Sequence, residues 1–242
     1  MKYYELHDEF WKELKNQGYI SWDKESKNEI LDRERNNSLL GFLEDGKGGK
    51  ALDLGSGSGS QSFFLSTIGY ECVAVDISST AIEIGMTLAQ ELNYNIEFKC
   101  LDICSLNLEI TFDLITDSCL LHCLVYEEDR VNFFQTTQRH LKRDGRVFIY
   151  TMIRDEDENY FTHQDYLLLD DEGILWSLGP KRYDVEWKLI QGQNYFAHRR
   201  IQTLDQQRQE ILFHRFSIIQ DRVIHTSNDE PDIYTAWLQF PS

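Results

Sequence analysis

The sequence is poor in proline, has few cysteines and contains no long apolar run. With only three prolines, no proline-rich linker divides the chain. Its 242 residues suit one large α/β domain, or one domain with an appendage. No apolar stretch reaches the ~20 residues that a membrane-spanning helix needs. Residues 1–22 also lack the basic start and apolar core of a signal peptide. We therefore expect neither export nor contact with a membrane.

Cysteine pairs of the kind that bind metals are missing as well. None of the five cysteines has the C-x-x-C spacing, and no second pair completes a site, so we expect no metal. An odd number of cysteines without an export signal is typical of reduced thiols, which indicates a cytoplasmic protein. The five positions are Cys72, Cys100, Cys104, Cys119 and Cys123.

Positive charge is scarce. Against 41 acidic residues there are 24 lysines and arginines, which gives a net charge of −17. Such a surface repels a phosphate backbone, so we expect no nucleic-acid partner. The densest basic groups, Lys142-Arg143 and His198-Arg199-Arg200, are both short. The second group has two interpretations: a site for an anionic part of a substrate, or a solvated face.

The most informative stretch is Lys50–Gly59. It begins as a short apolar run, Ala51–Leu54, which predicts a buried strand. Three glycines at alternate positions follow, and a helix is predicted from Ser60. Glycines allow a tight turn and a close approach to a ligand, and a helix start presents free N–H groups. A strand, a glycine turn and a helix are typical of a nucleotide-type cofactor site.

Two later strand ends also carry carboxylates. The strand Cys72–Val75 ends in Asp76, and Asp76 is 23 residues after Asp53. An acidic residue at that distance is expected to accept both ribose hydroxyls of a cofactor. The alternative is a cap for the helix that begins near Ser78. After the strand Ile96–Cys100, Asp102 and Ile103 are predicted to hold an adenine, and the alternative is an ordinary loop.

A fourth strand, Phe112–Asp117, is followed by Ser118 and His122. This segment leaves the carboxyl end of a predicted parallel strand, where open α/β sheets bind ligands. Residues 141–146 are predicted to turn into a fifth strand, Val147–Thr151. Strand and helix then stop alternating, and an aromatic insertion over residues 153–200 is expected to form a small β-rich cap.

Both ends of the chain flank this core. Residues 1–48 carry an amphipathic helical pattern and a second predicted helix over 29–43, so they form either a mobile cover over a pocket or a packing layer. Residues 201–242 are predicted to form a closing helix, capped by Thr203, and an antiparallel strand pair.

Together these motifs resemble the class I S-adenosylmethionine-dependent methyltransferases. The resemblance covers residues 48–152 well, and the final 40 residues fit the family's closing helix and hairpin. It implies a Rossmann-like, doubly wound sheet of seven strands, mostly parallel with an antiparallel last strand, in a core over residues 49–152. The motifs that carry it are Leu52–Gly59, Val75–Ser78, Leu101–Ile103, Phe112–Asp117 with Leu121-His122, and Leu141–Arg146.

The glycine spacing separates this family from a nicotinamide oxidoreductase. Dinucleotide sites use G-x-G-x-x-G and bind a diphosphate, whereas this chain has G-x-G-x-G preceded by Asp53. An acidic group beside the glycines suits the ammonium of a methionine tail, held directly or through water and backbone. The resemblance implies that S-adenosylmethionine is the cofactor, bound by Asp53, Gly55, Ser56, Gly57, Gly59, Asp76, Ile77, Asp102, Ile103, Asp117 and Ser118.

The chemical class of the methyl acceptor is narrowed by excluding alternatives. Asp117–Leu120 stands where methyltransferases of DNA bases carry a Pro-Pro box, and it has no proline. An aromatic leader and insertion suggest an enclosed pocket for a small molecule, with a peptide as the alternative. His122 is the candidate general base, and a structural role is its alternative. The candidate substrate residues are Tyr4, Tyr126, Arg199 and Arg200. A binding protein without catalysis stays open as the second function.

Overall fold

The computed structural model describes residues 2–24, 27, 29–30, 34–43, 48–155, 160–161, 164–179, 187–226 and 229–241. Short 3-10 helices cover Tyr3–Leu6, Ile103–Ser105 and Leu121–Cys123. Within the described ranges the α-helices are α1 (His7–Asn16), α2 (Glu34–Leu40), α3 (Ser60–Thr67), α4 (Ser79–Leu92), α5 (Glu127–His140) and α6 (Leu204–Phe213). None of them is long and apolar enough to cross a membrane.

The strands form two sheets. The strands are β1 (Gly49–Leu54), β2 (Tyr70–Asp76), β3 (Ile96–Cys100), β4 (Phe112–Ser118), β5 (Leu141–Arg154), β6 (Leu167–Leu169), β7 (Ile174–Leu178), β8 (Lys188–Ile190), β9 (Gln193–Arg200), β10 (Gln202–Thr203), β11 (Ser217–Ile224) and β12 (Asp232–Gln239).

The large sheet has the order β11-β12-β5-β4-β1-β2-β3, and the two-residue β10 pairs with the end of β5. The strands β1 to β5 run parallel, and β12 is antiparallel to both of its neighbours. The order reverses between β1 and β4, and in open α/β sheets ligands bind at the carboxyl ends on either side of such a point. The predicted seven-stranded fold is confirmed.

Both faces of this sheet are buried. Along β5, Val147 and Ile149 pack into one core cluster, while Phe148 and Tyr150 pack into another on the opposite face. This alternation follows from the two-residue period of a strand. It explains why β5 reads as a continuous apolar run, as expected for a strand covered on both sides.

Three local expectations are corrected. The segment 141–146 is not a turn, because Leu141 already adopts an extended conformation at the end of α5 and enters β5 with irregular pairing. From the sequence we also expect two separate strand pieces, 216–219 and 223–225, but the structure has the single strand β11 with a bulge between Ile218 and Gln220. The helix predicted over 29–43 is shorter, since α2 begins at Glu34, and residues 31–33 lie outside the described part.

The inserted segment forms a second sheet with the antiparallel order β6-β7-β9-β8. Its buried side chains Trp176, Tyr195 and Phe196 share a core cluster with Tyr3 and Tyr4 of the leader. The leader and the insertion therefore pack together beside the large sheet. The closing helix α6 begins where expected, with Thr203 as its N-cap in a capping box with Gln206.

Candidate functional site

The glycine loop follows β1 and turns back at once towards β2. The N–H groups of Gly55 and Ser56 both donate to the carbonyl of Val75, at 2.9 and 3.0 Å. Gly55, Gly57 and Gly59 have φ values of 67°, 54° and 91°. These lie in the left-handed region that side chains disfavour. The alternate glycines are thus required by the backbone of the loop.

Asp76 fixes the other side of this loop. Its two carboxylate oxygens accept the N–H groups of Gly57 and Ser78, each at 2.8 Å. Burial raises the pKa of Asp76, while these two hydrogen bonds act in the opposite direction. A carboxylate oxygen has room for more than one donor, so Asp76 keeps acceptor capacity for the predicted ribose. Its half-buried neighbour Ile77 packs against the main core cluster.

Asp102 and Ile103 follow β3 at the same edge. One oxygen of Asp102 caps the next turn by accepting the Cys104 N–H at 2.9 Å, and the other accepts the Tyr4 hydroxyl at 3.1 Å. Ile103 is buried in the main core cluster. Tyr4 was predicted to contact the acceptor, but the structure brings its hydroxyl to the residue predicted for adenine. The leader therefore reaches the cofactor side of the site.

Asp53 occupies a different place from the one expected. Its side chain is fully buried, and its two oxygens accept the hydroxyls of Ser62 at 2.7 Å and Thr116 at 3.0 Å. It thereby ties α3 to β4 beneath the glycine loop. Both carboxylate oxygens of Asp53 thus already accept hydroxyl groups, and a direct contact with a cofactor ammonium stays a prediction. The indirect route through backbone and water stays a prediction.

Two buried polar atoms, one at the end of β4 and one in the first turn of α3, have no partner among the described residues. Asp117 accepts the N–H groups of Leu120 and Leu121 with Oδ1, while Oδ2 has no partner. Burial raises the pKa of Asp117 to about 7. The neighbouring Ser118 donates its hydroxyl to Gln61 Oε1 at 3.0 Å, and Gln61 Nε2 has no partner.

Gln61 was not singled out from the sequence. The available signal was its position two residues after the third glycine, in the first turn of α3. Its amide reaches Ser118, the residue that follows Asp117. Gln61 thus carries an unpaired donor and Asp117 an unpaired acceptor, and the two residues are linked through Ser118. Buried polar atoms without partners cost free energy, so each of these atoms is a candidate ligand contact.

The N-terminal leader covers the glycine loop. Trp11 is 5% exposed, and its Cζ2 lies only 2.8 Å from the position that a Cβ at Gly57 would occupy. One carboxylate oxygen of Asp8 accepts the Ser78 hydroxyl at 2.6 Å and the Thr80 N–H at 3.1 Å. The leader is thus fixed to both β-strand ends that form the predicted cofactor edge.

His122 lies in the short helix after β4 and is 1% exposed. Its Nδ1 accepts the Met152 N–H at 3.2 Å and lies 3.2 Å from the Thr151 hydroxyl. Because Nδ1 is an acceptor, the proton of the neutral ring is on Nε2. Burial, and after it the positive charge of Arg199, lowers the pKa of His122 well below its usual value. This geometry favours the structural alternative over a general base.

The remaining predicted substrate residues lie on the insertion side. Tyr126 is half-buried and contacts the edge of the Tyr3 ring at 5.0 Å between centroids. Arg200 pairs with Glu127 at 3.1 Å. Arg199 reaches Met152 Sδ at 3.5 Å.

One surface cleft lies away from this edge. A cleft of about 260 Å³ runs between α1 and α4 and is lined by residues such as Lys15 and Glu83. Among the described residues, no group of three or more His, Cys, Asp or Glu side chains is arranged to hold a metal ion. The described cysteines form no disulfide.

Comparison with known proteins agrees with this arrangement. Residues 51–145 match the model of a family described as a methyltransferase domain. Over 103 residues the chain is 34% identical to a cypemycin N-terminal methyltransferase from Streptomyces sp, covering 42% of this chain and 41% of that protein. Over 139 residues it is 27% identical to a ubiquinone biosynthesis O-methyltransferase from Idiomarina loihiensis, covering 55% and 56%. The chain thus spans about half the length of these curated relatives.

A solved structure extends the likeness in fold to nearly the whole chain. It is the 1,6-didemethyltoxoflavin-N1-methyltransferase of Burkholderia thailandensis, with bound 1,6-didemethyltoxoflavin and S-adenosylhomocysteine. The TM-score is 0.67 at 17% identity, and the match covers 98% of this chain and 88% of that one.

Proposed function

We propose that this chain is a class I S-adenosylmethionine-dependent methyltransferase that transfers the methyl group of S-adenosylmethionine to a small-molecule acceptor. The observation that carries the proposal is the pair of unpartnered buried atoms, Gln61 Nε2 and Asp117 Oδ2. A methionine tail ends in a carboxylate and an ammonium. The Gln61 donor suits the carboxylate and the Asp117 acceptor suits the ammonium, so the residues present fit this cofactor.

The other parts of the cofactor have a partner at the same edge. Gly55, Ser56, Gly57 and Gly59 would shape the methionine pocket, with Ser118 beside it. Asp76 would accept the ribose hydroxyls next to Ile77. Asp102 and Ile103 would hold the adenine, by hydrogen bond and by packing. When bound, S-adenosylmethionine supplies an electrophilic sulfonium methyl group.

The chain's own residues support a mechanism based on alignment and exclusion of water. Asp76 holds the glycine loop by accepting the Gly57 N–H, and Asp53 ties α3 to β4 beneath the loop through two buried hydrogen bonds. Trp11 and Tyr4 cover the same edge from the leader. Fixed geometry and a dry site accelerate transfer without an obligatory side-chain base. His122 has no unoccupied nitrogen lone pair, so we assign it to positioning the turn after β4.

The acceptor is proposed to be small because aromatic side chains of the leader and the insertion share one core cluster, and Tyr4 of the leader also contacts Asp102. The net charge of −17 argues against a nucleic-acid acceptor. A cytoplasmic location is proposed on the reduced cysteines.

The function is tested by incubating the protein with methyl-labelled S-adenosylmethionine and a pool of small metabolites. We expect label to pass from the cofactor to a member of the pool. Asp76→Ala should abolish transfer, because it removes the predicted ribose acceptor and two hydrogen bonds of the loop. Asp113→Ala is the matched control. Asp113 also accepts a backbone N–H, from Lys50, but it lies at the amino ends of the strands, away from the predicted cofactor site.

The outcomes separate the two candidate functions. Label transfer that survives in Asp76→Ala would refute the assignment of this carboxylate. Binding of S-adenosylhomocysteine by the wild type without any label transfer would favour the alternative, a binding protein without catalysis.

A further inference from the structure

Three arginines near the site differ in how their charge is balanced. Arg130 is fully buried and pairs with Glu210 through two nitrogens, both at 2.5 Å. Arg200 pairs with Glu127 at 3.1 Å. Arg199 has no carboxylate within 4.0 Å among the residues that the structure describes, and its buried Nε has no hydrogen-bond partner there. In a chain with 41 acidic residues against 24 basic ones, such a guanidinium is unusual.

The strand pairing of the insertion determines where Arg199 lies. Leu175 of β7 pairs with Arg199 of β9, but the next residue, Trp176, pairs with Ala197. His198 is therefore an extra residue in β9, which makes a β-bulge at His198–Arg199. Bulges re-aim side chains and are frequent beside active sites. The guanidinium of Arg199 reaches over β5, where its Nη1 is 3.5 Å from Met152 Sδ.

The groups that surround Arg199 are neutral or positive. His198 adjoins it in β9, and the ring of His198 stacks on His7 of the leader at 5.2 Å between centroids. His122 approaches from the turn after β4, since its Nδ1 accepts the Met152 N–H. Burial, and after it the charge of Arg199, lowers the pKa of His7 to about 4 and that of His198 well below its usual value. These imidazoles are neutral at pH 7, so the charge of Arg199 is left for an anion.

We propose that Arg199 binds a carboxylate of the methyl acceptor, so that the substrates of this chain are small carboxylic acids. This inference rests on the proposed function. One uncompensated guanidinium balances one negative charge, and its planar fork matches the two oxygens of a carboxylate. The site lies between the insertion, the leader and the turn after β4. The methionine tail of the cofactor also carries a carboxylate, and the experiment below distinguishes it from the carboxylate of the acceptor.

The test is calorimetric titration of the protein, saturated with S-adenosylhomocysteine, with benzoate and separately with benzamide. The two probes share size and shape and differ in charge. We expect benzoate to bind about tenfold or more tightly than benzamide, which is the range of a charge-assisted hydrogen bond. Arg199→Met keeps an apolar stem and should abolish the preference. Arg208→Met is the matched control and should keep it, because Arg208 pairs with Asp221 and is not part of the site.

Each result decides a separate claim. Equal binding of both probes, no binding of benzoate, or a preference that persists in Arg199→Met would overturn the anion site. Weakened binding of S-adenosylhomocysteine in Arg199→Met would assign Arg199 to the cofactor and overturn its role with the acceptor. Arg199→Lys, which retains a charge, should recover part of the preference if the variant is folded. Failure of the wild type to bind S-adenosylhomocysteine refutes the proposed function instead.

Discussion

Asp117→Asn should change how the stability of this protein depends on pH. Burial raises the pKa of Asp117 to about 7 in the folded state, against about 3.9 for an aspartate in an unfolded chain. The folded state therefore holds the proton more tightly than the unfolded state. Below about pH 4 Asp117 is protonated in both states, and its contribution to the stability of the folded state is fully present. It is lost progressively as the pH rises to about 7, where the folded group ionises.

The size of the effect follows from the two pKa values. A difference of about 3 units corresponds to about 4 kcal/mol, at 1.36 kcal/mol per unit. Asparagine preserves the acceptor for the Leu120 and Leu121 N–H groups and does not titrate. Its unpaired Nδ2 adds a cost that is the same at every pH. The variant should thus gain stability relative to the wild type as the pH rises from about 4 to about 7.

The assay is urea unfolding of both proteins at a series of pH values across this window. The measured quantity is the difference in free energy of unfolding between variant and wild type. A difference that stays constant with pH would mean that Asp117 titrates normally, and the reasoning from its burial would be refuted. If Asp117 Oδ2 also faces a cofactor ammonium, binding of S-adenosylhomocysteine near pH 6 should release a proton, which calorimetry in buffers of different ionisation enthalpy detects.

Two further substitutions probe the contacts around the site. Gly57→Ala should destabilise the protein by about 1–2 kcal/mol for the left-handed backbone alone, plus the collision with Trp11. Adding Trp11→Leu should recover the steric part, and urea unfolding that shows no recovery would count against the packing of the leader on the loop. Arg130→Met should cost about 3–5 kcal/mol, because Glu210 is left buried without its partner. Arg130→Met with Glu210→Leu should be more stable than Arg130→Met alone, and equal unfolding midpoints would disprove the ion-pair explanation.

Much of the fold follows from local sequence signals. The strand β1, the three glycines and the start of α3 are specified within about a dozen residues, because each depends on backbone chemistry that is local. The acidic strand ends Asp76 and Asp102 were predictable for the same reason. The predicted fold is confirmed, and the match of residues 51–145 to a methyltransferase-domain model agrees with the predicted family. The roles of the site residues stay predictions.

What the sequence did not indicate depends on contacts between distant segments. The burial of Asp53 requires Thr116, 63 residues away. The contact of Tyr4 with Asp102 joins residues 98 positions apart. The unpaired amide of Gln61 and the bulge at His198 are visible only once pairing and packing are known. Tyr183, an aromatic residue of the predicted cap, lies outside the described residues.

The central claim is that the edge formed by the glycine loop, Asp76, Asp102 and Asp117 is a site for S-adenosylmethionine. The most direct measurement is calorimetric titration of the wild-type protein with S-adenosylhomocysteine and, separately, with NAD. We predict that S-adenosylhomocysteine binds at one site per chain and that NAD does not bind. Binding of NAD without binding of S-adenosylhomocysteine would contradict the claim.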